Sequence, residues 1–154
     1  MQDISTRVDG FTASGSLGFL LRRAQKLMSQ QAEQVFEGRG LTLSQWIVLK
    51  LIEEGDVGTP GEAARVLGHN TGATTRLIDQ LENEGLLTRA REGGDRRLVR
   101  LALTPDGARV AKAWAGEMAG FFEDLLAAFT PAEVETMVGL LGRLVERLEA
   151  RDTS

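Results

Sequence analysis

The chain has 154 residues, of which 42% are hydrophobic and 26% charged, with a net charge of −4. This length suits one domain with a substantial core, and the composition argues against disorder. It contains no cysteine and one histidine, which excludes disulfides, thiolate catalysis and metal sites built from cysteines or several histidines.

The N-terminal segment MQDISTRVDG has an early acidic residue and no apolar core, unlike a secretion signal. Charged residues interrupt every apolar run well before the 18 residues that a membrane helix needs. We therefore expect a cytoplasmic protein with no membrane partner.

Threonine–proline pairs mark three expected helix starts, at Pro60, Pro105 and Pro131. Threonine caps helix N-termini, and proline suits the first helical position because the N–H that it lacks has no partner there. Glutamate or glutamine three residues after the cap completes a capping box in TPGE, in TPAE and in TLSQ at Thr42.

Hydrophobic periodicity fills in the remaining elements. Asn70 is the expected cap of a helix that Gly85 ends in a Schellman motif, with Leu86 contacting Leu81. We predict helices over 17–35, 43–54, 60–67, 70–84, 105–128 and 131–150, and strands over 86–91 and 97–103.

This order predicts a mainly α fold: a winged helix-turn-helix with a two-stranded β-hairpin wing. The positive charge lies near the hairpin, since residues 59–103 carry seven arginines against six acids. Within 88–100 there are five arginines against two acids, although the chain as a whole is acidic.

The helix over 70–84 turns Leu77 and its apolar neighbours to the core, and we place small polar residues on its early outer face: Thr71, Gly72, Thr74 and Thr75. These residues suit a recognition helix, because glycine permits close approach and hydroxyls reach bases or phosphates. An ordinary solvated face has the same composition, and His69 suits either a turn or a phosphate contact.

Three segments together resemble the MarR family of winged-helix transcription regulators: LTLSQWIVLKLI, GEAARVLGHNTGATTRLIDQLENEGLLTR and GGDRRLVRLALTPDGARV. The most specific motif is D-x-R-x-x-x-[VL]-x-L-T, which is carried by Asp95, Arg97, Leu101, Leu103 and Thr104. The resemblance implies a homodimer whose subunits join through a helical dimerisation region. Its implied divisions are an N-terminal dimerisation helix (1–40), a DNA-binding region (41–104) and C-terminal dimerisation helices (105–154).

The resemblance also implies a wing that reaches the minor groove of DNA. Arg97 is the leading tip residue, Arg96 is the second, and Asp95 would hold the tip in shape. The full predicted DNA-binding set is His69, Asn70, Thr71, Gly72, Thr74, Thr75, Arg76, Arg89, Arg91, Asp95, Arg96 and Arg97. We expect the acids Asp79, Glu82 and Glu84 to repel DNA, so that the end of this helix angles out of the groove.

The predicted function is a dimeric repressor that binds a pseudo-palindromic operator and is released by a small-molecule effector. The family commonly binds aromatic or anionic molecules, and the candidate lining here is Arg22, Arg23, Met28 and Trp46, although core packing also suits Trp46. The alternative is a winged-helix protein–protein module without DNA binding. No nucleotide-binding loop or clustered metal ligands point to an enzyme, and no cofactor is expected.

Overall fold

The computed structural model describes residues 12–91 and 99–152. A short 3-10 helix at Ala13–Gly15 precedes six α-helices and two strands. The elements are α1 (Leu17–Phe36), α2 (Leu43–Glu54), α3 (Pro60–Leu67), α4 (Thr71–Asn83), β1 (Leu87–Arg91), β2 (Val99–Leu103), α5 (Pro105–Leu126) and α6 (Pro131–Asp152). The predicted mainly α fold with one two-stranded hairpin is confirmed.

Capping residues fix the helix starts as predicted. At α2 the Gln45 N–H donates to the Thr42 hydroxyl (3.2 Å), and the Thr42 N–H donates to Oε1 of Gln45 (2.8 Å). At α3 the Glu62 N–H donates to the Thr59 hydroxyl. The Glu62 carboxylate accepts the Gly58 N–H at 2.8 Å and does not complete the capping box predicted at Thr59. This hydrogen bond holds the pKa of Glu62 below its ordinary value.

The two strands form an antiparallel ladder that runs from the Leu87–Leu103 pair to the Arg91–Val99 pair. The Leu101 N–H donates to the carbonyl of Gly58 at 2.9 Å, which joins β2 to the segment before α3. The hairpin is thereby tied to the helix-turn-helix, as a winged helix requires. The predicted tip residues Asp95, Arg96 and Arg97 lie outside the described residues.

The core of the winged helix lies between α2, α4 and the hairpin. α2 contributes Val48 and Leu49, both fully buried. The other large, fully buried apolar side chains of the described chain are Val57, Ile78, Leu81 and Leu87.

The junction of α4, β1 and α5 is built on Gly85 and Leu86. Gly85 has φ +71°, and the Leu86 N–H donates to the Leu81 carbonyl at 2.9 Å, which confirms the predicted Schellman ending. The Thr104 N–H donates to the Leu86 carbonyl (3.1 Å), and the Thr104 hydroxyl donates to the Gly85 carbonyl (2.6 Å). The start of α5 is therefore hydrogen-bonded directly to the end of α4.

The chain divides into two compact units, residues 1–116 and 117–154. The first contains α1 together with the winged helix, and the second contains α6. Among the described residues no single helix is long and apolar enough to cross a membrane, and α5 and α6 meet that requirement only as a bent pair.

Gly107, in the first turn of α5, allows α5 to approach Leu86 at the junction of α4, β1 and α5. A Cβ at this position would overlap the carbonyl oxygen of Leu86, whereas a Cβ on Gly116 in the same helix meets no atom within 4 Å. We expect Gly107→Ala to lower the free energy of unfolding by at least about 2 kcal/mol, because backbone must shift. Gly116→Ala should raise it by about 0.5–1 kcal/mol through helix propensity. Urea denaturation measures both, and equal effects would contradict the proposed close approach.

Candidate nucleic-acid interface

The N-terminal end of α4 is exposed and capped. The Asn70 side chain accepts the Ala73 N–H at 2.8 Å, as predicted for the cap. Thr71, Gly72 and Arg76 are exposed on the same helix. This end therefore offers backbone N–H groups, hydroxyls and one guanidinium to solvent, together with the positive end of the helix dipole.

The turn before α4 is held by the end of α3. Gly68 has φ +63°, and the His69 N–H donates to the Ala64 carbonyl at 3.2 Å. The main chain of His69 is therefore fixed, whereas the residue as a whole is exposed next to the cap of α4.

The prediction that Thr74 lies on the outer face of α4 is wrong. Thr74 is 1% exposed, and its hydroxyl donates to the Asn70 carbonyl at 3.2 Å. At about 100° per residue, Thr74 lies only about 60° from Leu77, on the core side of the helix. Thr75 is exposed, as predicted, and its hydroxyl donates to the Thr71 carbonyl at 2.8 Å.

Arg89, a predicted DNA contact, is engaged within the protein. Its guanidinium lies 2.5 Å from an oxygen of Asp79 and 2.8 Å from an oxygen of Glu82. The main-chain N–H of Arg89 also donates to a carboxylate oxygen of Glu82 at 3.3 Å. Arg89 of β1 therefore pairs with two acids of α4 and offsets one of their two negative charges. The expected repulsion of DNA by these acids is reduced accordingly, while Glu84 remains exposed.

Arg91 is the last residue of β1 and pairs with Val99. Asp95, Arg96 and Arg97 belong to residues 92–98, which are not described. Their predicted contacts with DNA therefore stay predictions.

Effector binding by the four residues suggested from the sequence stays a prediction. Arg22, Arg23 and Met28 are exposed on α1, whereas the indole N–H of Trp46 donates to the Ala111 carbonyl at 3.1 Å. None of them lines the cleft of about 560 Å³ that lies between the α1–α2 connection and the end of α4. Within residues 12–91 and 99–152, no group of three or more histidine, aspartate or glutamate side chains could hold a metal ion.

This combination of a capped, exposed second helix and a tied β-hairpin defines a winged helix-turn-helix protein. The MarR family model matches residues 39–98. A putative transcriptional regulatory protein for the hcr operon of Thauera aromatica is 29% identical over 143 residues, which cover 92% of this chain and 86% of the relative.

Solved structures agree with that match. Wild-type MarR of E. coli in its apo form is 27% identical with a TM-score of 0.71, covering 84% of this chain and 96% of MarR. A MepR–DNA complex of S. aureus is 25% identical with a TM-score of 0.70, covering 90% of this chain and 99% of MepR. The family-model match and these structures support a winged-helix transcription regulator of the MarR type.

The position of Arg89 predicts an indirect effect on DNA affinity. We expect Arg89→Met to weaken binding, because it leaves the negative charges of Asp79 and Glu82 uncompensated near the phosphates. In a background that carries Asp79→Asn and Glu82→Gln, the same substitution should have no effect. Electrophoretic shift titrations of all four proteins measure this double-mutant cycle. An equal loss in both backgrounds would mean that Arg89 itself contacts DNA.

Proposed function

We propose that this chain is a sequence-specific regulator that places the N-terminal half of α4 in the major groove of double-stranded DNA. The observation that carries the proposal is the exposed, capped end of α4, where Thr71, Gly72, Thr75 and Arg76 face solvent. Small polar side chains can approach base edges, and the helix N-terminus favours a phosphate. The similarity to the MepR chain found in a DNA complex supports this assignment.

Asn70 and His69 are proposed to contact the phosphates that flank this groove. Asn70 already uses a side-chain oxygen to cap α4, so its amide nitrogen is the group left to reach DNA. His69 is exposed one residue earlier, at a turn fixed by its own main-chain hydrogen bond.

The wing is proposed to supply the second contact. The ladder carries the chain outward to the Arg91–Val99 pair, and the resemblance assigns the tip role to Arg97, with Arg96 beside it and Asp95 as its brace. A narrow minor groove has an enhanced negative potential, which favours an inserted guanidinium without base-specific hydrogen bonds.

The active form is proposed to be a homodimer. On α6, Val138, Val145 and Leu148 are more than half exposed, and Leu17 and Leu20 on α1 are as well. A second copy of the chain would cover such apolar stripes. Two-fold symmetry then places two α4 helices about 10 bp apart, on a pseudo-palindromic operator.

We also propose that the protein acts as a repressor in the cytoplasm, that a small effector releases it from DNA, and that it has no enzymatic activity. They follow from the family resemblance, and the relative from Thauera aromatica is likewise a putative regulator. The alternative is a winged-helix module that binds protein. For DNA binding, the logarithm of the binding constant should fall by about 0.9 per neutralised phosphate for each tenfold rise in salt concentration. A protein contact has no such counterion release.

The wing assignment predicts that Arg97→Ala weakens operator binding by about 1–3 kcal/mol without changing the free energy of unfolding. Shift titrations on DNA selected from a random pool measure the loss. Arg109→Ala is the matched control, because Arg109 is an arginine of α5 with a side chain 70% exposed and an i,i+3 partner in Asp106. Undiminished affinity of Arg97→Ala would remove the wing from the interface.

A further inference from the structure

The cleft of about 560 Å³ has the size of a small-molecule site. Its walls come from the end of α1, the α1–α2 connection, the start of α2 and the end of α4. It was not predicted from the sequence, and it differs in position and in charge from the pocket expected there.

The charge of this cleft is negative for two independent reasons. Glu37 and Glu84 are the C-terminal caps of α1 and α4, and both line the cleft together with Glu33. Helix C-termini already carry negative partial charge, and neither helix has a basic residue in its last turn. No lysine or arginine is among the described residues that line the cleft.

A glutamine amide also lines the cleft. Gln45 lines it and is only 6% exposed. Its Oε1 accepts the Thr42 N–H at 2.8 Å, and this hydrogen bond assigns the other end of the amide as Nε2. Nε2 donates no hydrogen bond within the described part of the chain. Since no described side-chain nitrogen is both fully buried and unpaired, Nε2 is open to an acceptor atom in the cleft.

We propose that this cleft binds a small organic cation that also carries an oxygen acceptor. The carboxylates of Glu33, Glu37 and Glu84 would hold the cation, and Nε2 of Gln45 would donate to the oxygen. Phe36 lies behind the cleft surface, with only 2% of it exposed, and packs against Trp114 with ring centroids 4.7 Å apart, so a fluorescent reporter lies close to the site.

The same cleft connects the site to DNA binding. Gln80 lies in α4 and Glu84 caps it, whereas Glu33 lies in α1 and Glu37 caps it, so one ligand would touch both helices. This regulatory part rests on the proposed function. If occupancy changes the DNA affinity by some factor, DNA must change the ligand affinity by the same factor.

Isothermal titration of the DNA-free full chain tests the site with three probes of one shape: 4-methoxybenzamidine, 4-methoxybenzamide and 4-methoxybenzoate. We expect the cationic amidine to bind about tenfold more tightly than the neutral amide, and the anion most weakly. Equal binding of the three, or tightest binding of the benzoate, overturns the proposal. Competition by equimolar Mg²⁺ also overturns it, because it would indicate a generic acidic surface.

The doubly substituted Glu37→Gln/Glu84→Gln protein should lose the preference for the amidine. Its thermal midpoint should be unchanged or raised, because two acids leave helix C-termini, so that lost binding is separated from unfolding. Glu123→Gln/Glu135→Gln makes the same charge change at exposed positions outside the cleft and should bind like the wild type. Wild-type amidine binding by the cleft variant overturns the assignment.

The link to DNA is measured separately, as the amidine affinity with and without saturating operator. We expect the two affinities to differ. Identical values overturn the regulatory part and leave the site in place. Failure of the ligand-free protein to bind DNA overturns the proposed function, while the titration on free protein still decides the cleft.

Discussion

The structure depends most on the hydrogen-bonded corner at Gly85 and Leu86. One residue in a left-handed conformation ends α4, and the next uses its N–H to close that helix and its carbonyl to receive Thr104. Thr104 also donates its hydroxyl to Gly85, and Gly107 lets α5 approach without a side chain in the way. Helix, hairpin and α5 therefore meet at one point, which fixes the direction of α4 relative to the wing.

Because that corner is fixed, one face of α4 packs in the core and the opposite face is exposed to solvent. The core face holds Ile78 and Leu81, and the early outer face presents small polar groups to solvent. Arg89 on β1 pairs with Asp79 and Glu82 farther along the helix and offsets one of their two negative charges, which lowers the electrostatic cost of bringing an acidic protein to DNA. The cleft at the end of α4 keeps its negative charge, and a ligand there would act on the same helix.

The sequence predicted the elements well because their ends are local: Thr42, Asn70 and Gly85 act through hydrogen bonds to neighbours. Thr74 lies on the core face, contrary to its prediction, because its angle on the helix and not its polarity decides where it points. The ion pairs of Arg89 and the cleft were not predicted, since both join residues that only tertiary packing brings together. The cleft combines side chains from positions 30–45 with others from 80–84, and no sequence motif links the two.

Chemical protection of guanine N7 on a DNA selected from a random pool tests most directly whether α4 reads the major groove. N7 lies in the major groove, and a dimer that uses two α4 helices should protect two patches about 10 bp apart, related by a two-fold axis. Protection should weaken over both patches when Gly72→Val adds bulk to the exposed face of α4. Failure to select any sequence, or minor-groove protection alone that Gly72→Val leaves unchanged, would contradict the account.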